Sequence, residues 1–202
     1  MTMTRSMIPL PAPAICLALM LATTMTACGA GPEAAAPLPT RPPAATADPW
    51  AAHGLPARIT IPAIRVDAAI EALDLTGDQK IGVPQAFGNV GWYRQGYRPG
   101  EPGRAILSGH LDDSQGRPAV FARLKELQPG DEIKVRYADG TVLAFAAGEQ
   151  RLVDVNAVDE ATWQAIFGAS ERAELSLITC DGVWDAVAKT YSRRLVVFAA
   201  AP

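Results

Sequence analysis

The chain reads as an all-β protein, a barrel or sandwich with one or two short helices. Three observations carry that reading. From Pro56 onward, short runs of period-two or continuous apolar residues recur. Gly, Pro and Asp turn signals separate them, and no strand–helix–strand alternation appears anywhere. The 202 residues suffice for one domain with appendages, and the 49% hydrophobic content supports a sizeable core.

Taken in order, Ala57 to Pro62 alternates as a strand and Val66 to Leu75 is a second extended stretch. Thr76-Gly77-Asp78 is a turn, and Lys80 to Pro84 reads as a third short strand. Asn89 to Tyr97 is aromatic and loop-like, and Arg98-Pro99-Gly100-Glu101-Pro102-Gly103 reverses the chain. Arg104 to Gly109 is a buried strand with His110 at its exit. Val120 to Leu127 suits a short helix closed by Pro129-Gly130. Asp131 to Tyr137 and Thr141 to Phe145 form a hairpin across Ala138-Asp139-Gly140, and Arg151 to Val155 is a further strand. Asp159 is an N-cap for a helix through Phe167, with Gly168 just past its end. Glu174 to Thr179 and Arg194 to Ala200 are the last strands.

Upstream of this domain the chain has a different character. Residues 1–28 read as an export segment: Arg5 is followed by an apolar run of about a dozen residues from Ile15 to Thr26. That run is shorter than the roughly 20 residues of a spanning helix. It ends in Met25-Thr26-Ala27-Cys28, which resembles a bacterial lipobox with Met25 where Leu is usual, and which makes Cys28 the lipid attachment site. An uncleaved anchor is the other reading. Either one puts the domain on the extracytoplasmic face of a membrane, held through the N-terminus. Residues 29–54 are an Ala/Pro-rich linker without hydrophobic period, a stalk that includes His53. The folded domain is expected over 55–202. A net charge of −3 with 19% charged residues gives no bulk attraction to nucleic acid.

Cysteine counting isolates one thiol. Cys16 lies in the export segment and Cys28 carries the lipid, which leaves Cys180 alone in the domain. An exported protein with an unpaired thiol holds either an inert buried cysteine or a nucleophile. A thiolate nucleophile needs an acid for its leaving group, usually His, and the domain offers His110. Both end predicted strands, where a rigid sheet can bring side chains together. Arg193 and Arg194 open the final strand, and alternation lets only one face a site there. An arginine so placed either stabilises an oxyanion or forms a rim salt bridge.

Ser176-Leu177-Ile178-Thr179-Cys180 resembles the T-L-x-T-C signature of sortases, with Ser at the first position. The Leu107-Ser108-Gly109-His110-Leu111-Asp112 segment is similar to the one carrying that family's histidine, and Arg194 to Ala199 to its last strand. The stretch from Val90-Gly91-Trp92-Tyr93 to Gly103 looks most like the actinobacterial class F or class E branches. The resemblance implies an eight-stranded β-barrel and a cysteine transpeptidase with Cys180 as nucleophile, His110 as acid and base, and Arg194 at the oxyanion. Its substrates are surface proteins bearing a C-terminal L-P-x-T-G-like sorting signal, and its acceptor is an amine such as a peptidoglycan precursor. No cofactor and no metal are required. Thr179 and Trp184 are implied as substrate contacts, although a β-former and a surface cover are equally plain roles for them. Asp112 is a candidate to orient His110, or a turn former. The competing reading is a lipid-anchored extracytoplasmic barrel that binds or scaffolds, with Cys180 inert.

Overall fold

In the computed structural model the described residues are Leu38, Thr40 and 50–202 apart from Gln79. The export segment with Cys16 and Cys28, and most of the linker, lie outside them. Among the described residues, no helix is long and apolar enough to cross a membrane.

Eight strands among these residues close into a barrel: β1 (Pro56–Ile61), β2 (Val66–Leu73), β3 (Val90–Tyr93), β4 (Gly103–Gly109), β5 (Glu132–Tyr137), β6 (Val142–Asp154), β7 (Ala173–Asp185) and β8 (Thr190–Ala200). Round the barrel they run β1-β2-β3-β4-β7-β8-β6-β5, with β5 back on β1. The one α-helix among the described residues, α1 (Glu160–Phe167), lies between β6 and β7 in the chain. Two pairs, β2–β3 and β4–β7, are parallel and therefore joined by long crossovers, one of which contains β5, β6 and α1. The parallel β4–β7 pair matters most for function. Its two strands point the same way, so the residues that leave them emerge side by side.

Alternation builds the core. In β1, Ile59 and Ile61 are fully buried while Arg58 and Thr60 are turned toward Asp67 on the outside. Leu175 and Leu177 of β7 and Leu195 and Val197 of β8 join the same inner cluster. The intervening residues Ile178, Val196 and Phe198 form a second, outer cluster beneath Ile166 of α1. Asp159 caps α1 through Oδ1, which accepts from the Thr162 amide at 2.8 Å. At the helix C-terminus Arg104 donates to the Gln164 and Ala165 carbonyls, pairing a cation with the negative dipole end. Leu177 is wholly enclosed. Leu177→Ala is therefore expected to cost about 2–5 kcal/mol in a denaturant titration, and a loss under 1 kcal/mol would contradict this packing.

Four expectations change. Lys80 to Pro84 forms no strand, only the single bridge Leu75–Ile81, because Thr76 Oγ1 bonds both Asp78 and the Lys80 carbonyl and keeps the segment in a tight turn. The stretch expected as a loop from Asn89 contains β3, whose four residues are all buried. A strand covered on both faces has no alternation to read. A Cβ on Gly91 would run into the Leu73 side chain, which would have to shift to admit it. The helix expected over Val120 to Leu127 is a 3-10 turn at Leu124–Glu126. Phe121, Leu124 and Leu127, three apart, all plug the core, a spacing that suits three residues per turn. The two strands expected at 141–145 and 151–155 are one, β6, with a register shift against β8 between Ala147 and Gln150.

Ala51–His53 form a 3-10 turn against the barrel, and Trp50 stacks on Tyr137 at 5.8 Å. His53 Nδ1 donates to Asp139 at 2.7 Å, and Arg98 donates to the Gly54 carbonyl at 2.8 Å. His53 thus lies on the barrel rather than in a free stalk. Trp50 and His53 bring ring surface that the surrounding alanines and prolines lack.

Candidate active site

The site is assembled from His110 at the exit of β4 and from Cys180 and Arg194 within β7 and β8. Those two strands run on to Asp185 and begin at Thr190, instead of ending at Thr179 and opening at the arginines as expected, because they stay paired out to their hairpin. In the β4–β7 ladder Ser108 pairs with Ile178, so two residues further on His110 leaves β4 level with Cys180. In the β7–β8 ladder Cys180 pairs directly with Arg194, and Asp181 with Arg193. Alternation puts Cys180 and Arg194 on the outer face with Ile178 and Val196, not in the barrel interior. The site is thus a patch on the barrel wall beyond the part covered by α1.

Cys180 is half-buried and unpaired. Burial pushes its thiol above the ordinary range; the Arg194 guanidinium pulls it down and the Asp112 carboxylate pushes it up. Its thiolate fraction at neutral pH is consequently small. Iodoacetamide alkylation of the folded chain is expected to accelerate with pH until beyond the range of a free thiol. A plateau reached below that range, measured by intact mass, would contradict this environment.

Arg194 is held by its own hairpin. Nη1 donates to the Tyr191 carbonyl at 3.0 Å and the Arg193 carbonyl at 2.9 Å, and Nη2 to Thr190 Oγ1 at 2.8 Å. The neighbouring Arg193 pairs with Asp181 at 3.3 Å. His110 Nε2 lies 2.9 Å from the Pro84 carbonyl oxygen, and its ring is tilted against Phe87 with centroids 4.8 Å apart. Among the described residues no hydrogen bond joins His110 to Cys180.

The remaining expected residues have other partners. Thr179, buried beside the outward-facing Cys180, turns inward and donates to the Gly109 carbonyl at 2.8 Å. That bond ties β7 to β4 immediately beside Cys180 and His110. Asp112 does not bond His110; its carboxylate accepts a hydrogen bond from the Tyr191 hydroxyl. That bond, with some burial, pushes the Tyr191 phenol up to about 12. Trp184 stands half-exposed on the hairpin, edge-on to Tyr191 at 5.2 Å. Tyr191 therefore touches Asp112, Trp184 and Arg194 together, although nothing in its local sequence singles it out. Pro84, at the end of the expected short strand, and Phe87, in the unpatterned stretch after it, also carry no local signal of a place at the site. No group of three or more His, Cys, Asp or Glu among the described residues is placed to hold a metal ion.

A family model described as the Sortase domain matches residues 59–201. Over 91 residues the chain is 33% identical to Sortase D of Bacillus subtilis (strain 168), a match covering 45% of this chain and 40% of that protein. The matched stretch is thus under half the length of that relative. Among solved structures, sortase C-1 from Actinomyces oris is similar with a TM-score of 0.55 at 23% identity, covering 72% of this chain and 73% of that one. Sortase A from Corynebacterium diphtheriae is similar with a TM-score of 0.54 at 19% identity, covering 73% and 60%. These two likenesses are of fold.

Proposed function

The chain belongs to the sortase family, and from that premise we propose that it is a cysteine transpeptidase acting through Cys180, His110 and Arg194. The observation that supports this most is the register: Cys180 faces Arg194 across β7–β8 and stands level with the His110 exit from β4. A sorting peptide of the L-P-x-T-G kind lies along the outer face. The Cys180 thiolate adds to the Thr carbonyl carbon, and Arg194 turns a donor from its hairpin acceptors to the oxyanion. His110 gives a proton to the departing Gly amine, so the C–N bond breaks and a thioester forms. An acceptor amine then attacks that carbonyl, His110 takes its proton, and the Cys180 thiolate leaves as the new amide forms. Trp184, exposed on the hairpin that carries Arg194, borders the path of the peptide.

The substrates in this proposal are surface proteins with a C-terminal sorting signal, and the acceptor is a peptidoglycan precursor or a protein amine. Residues 1–28 export the chain and Cys28 holds it to the membrane. A mature N-terminus at Cys28 with a lipid mass increment is the expected product, and an intact, unmodified Met1 sequence would sink that part. Within the family, the residues from Val90 to Gly103 favour the class F or class E branches. Mass spectrometry of a peptide library incubated with the chain and candidate amines tests the catalytic reading. Absence of any thioester or transfer product would refute it. The burial that raises the Cys180 thiol also suits an inert cysteine on a binding barrel. That reading requires Cys180 to resist alkylation while the chain is folded.

A further inference from the structure

The catalytic reading asks His110 to pass a proton at one ring nitrogen, and the structure holds the ring by the other. The Pro84 carbonyl can only accept, so the 2.9 Å contact puts a hydrogen on Nε2 and leaves Nδ1 as the second nitrogen of the neutral ring. Pro84 and Phe87 both belong to the segment 84–89, the last part of the connection from β2 to β3. Pro84 is buried, yet Gln85 to Gly88 are exposed and bury little apolar surface of their own to fix the segment.

One carboxylate gathers that segment. Glu71, on β2, accepts from the Gln85 amide at 2.8 Å through Oε2. Its Oε1 accepts from the Ala86 amide at 3.3 Å and from Asn89 Nδ2 at 2.8 Å. Charge-assisted bonds of this kind are stronger than neutral ones. They hold the Glu71 carboxyl below its usual range, led by the bond from Gln85. From the opposite side, Val120 donates its amide to the Phe87 carbonyl at 3.1 Å, and Phe121 to the His110 carbonyl at 2.9 Å. A chain of direct contacts thus runs from Glu71 through the 84–89 segment to His110 Nε2.

We propose that Glu71 is a positioning residue for the transpeptidation: it fixes the Pro84 carbonyl against His110 Nε2, so that Nδ1 is the nitrogen that exchanges the proton with the leaving and incoming amines. This rests on the catalytic role of His110 argued above. Glu71 touches no reacting atom. Its effect is exerted on the tautomer and orientation of the ring.

The full chain contains only two histidines, His53 and His110, so long-range proton–nitrogen spectra of the histidine-labelled protein resolve each ring. His110→Ala assigns the signals. The wild-type protein is expected to show His110 as the Nε2–H form. Glu71→Ala, and the isosteric Glu71→Gln, which loses the charge and one acceptor, are expected to mix the two tautomers. With an L-P-x-T-G peptide, kcat should fall about tenfold to hundredfold, the scale of a misplaced catalytic group, with KM changed less than twofold. Both variants should keep the melting temperature within a few degrees. Retention of the pure Nε2–H form in both overturns the proposal, as does unchanged kcat in a variant that has lost it. Wild-type turnover by His110→Ala would overturn the catalytic reading itself and the proposal with it, and is a result distinct from either.

Discussion

Cys180→Ala is expected to abolish both cleavage and transfer of an L-P-x-T-G peptide, with the barrel intact. No other thiol lies in the folded domain, and without one there is no thioester to form. Loss of the nucleophile in a comparable acyl-transfer enzyme costs roughly 10⁶ in kcat, which puts residual turnover below ordinary detection. The fold should tolerate the change. Cys180 is only half-buried, on the outer face of β7, and its ladder bonds to β8 are made by backbone. Chromatography of the peptide products, alongside a thermal melt, makes the comparison. Turnover in a folded Cys180→Ala protein would end the transpeptidase assignment.

Arg194→Ala should lower kcat by about 10²–10³, the usual effect of removing one oxyanion donor. A second effect accompanies it. Arg194 is the one influence that pulls the Cys180 thiol down against burial and Asp112, so its removal moves the thiol further up. The sign follows directly: the thiolate needed for attack is populated only at higher pH, and the alkylation profile shifts to the alkaline side. Raising the pH should therefore recover part of the loss but not the oxyanion contribution. Arg194→Lys should rescue poorly, because an ammonium carries the charge but not the planar fork that reaches Tyr191, Arg193 and Thr190 together. Full recovery at high pH would reduce Arg194 to an electrostatic neighbour of the thiol.

Legibility from sequence followed physical locality. β1, β4 and α1 were readable because alternation, a bounded apolar run and an N-cap are encoded within a few residues. β3 was hidden because strands buried on both sides lose their period. The helix foreseen at Val120 became a 3-10 turn because three side chains had to enter the barrel at every third position. At the site, Cys180, His110 and Arg194 were marked by local motifs. The partners of Asp112 and Thr179 were not, since each is a hydrogen bond to a strand far away in the chain.

By itself the sequence determined an all-β domain and marked Cys180, His110 and the Arg193–Arg194 pair as its reactive candidates, because residue type and period are local properties. Only the tertiary structure decided which of their neighbours belong to the site. The parallel β4–β7 pairing brings His110 level with Cys180, the β7–β8 register sets Arg194 opposite, and a carboxylate on β2 gathers the segment that grips the histidine. Those relations depend on closure of the barrel, which no window of sequence contains.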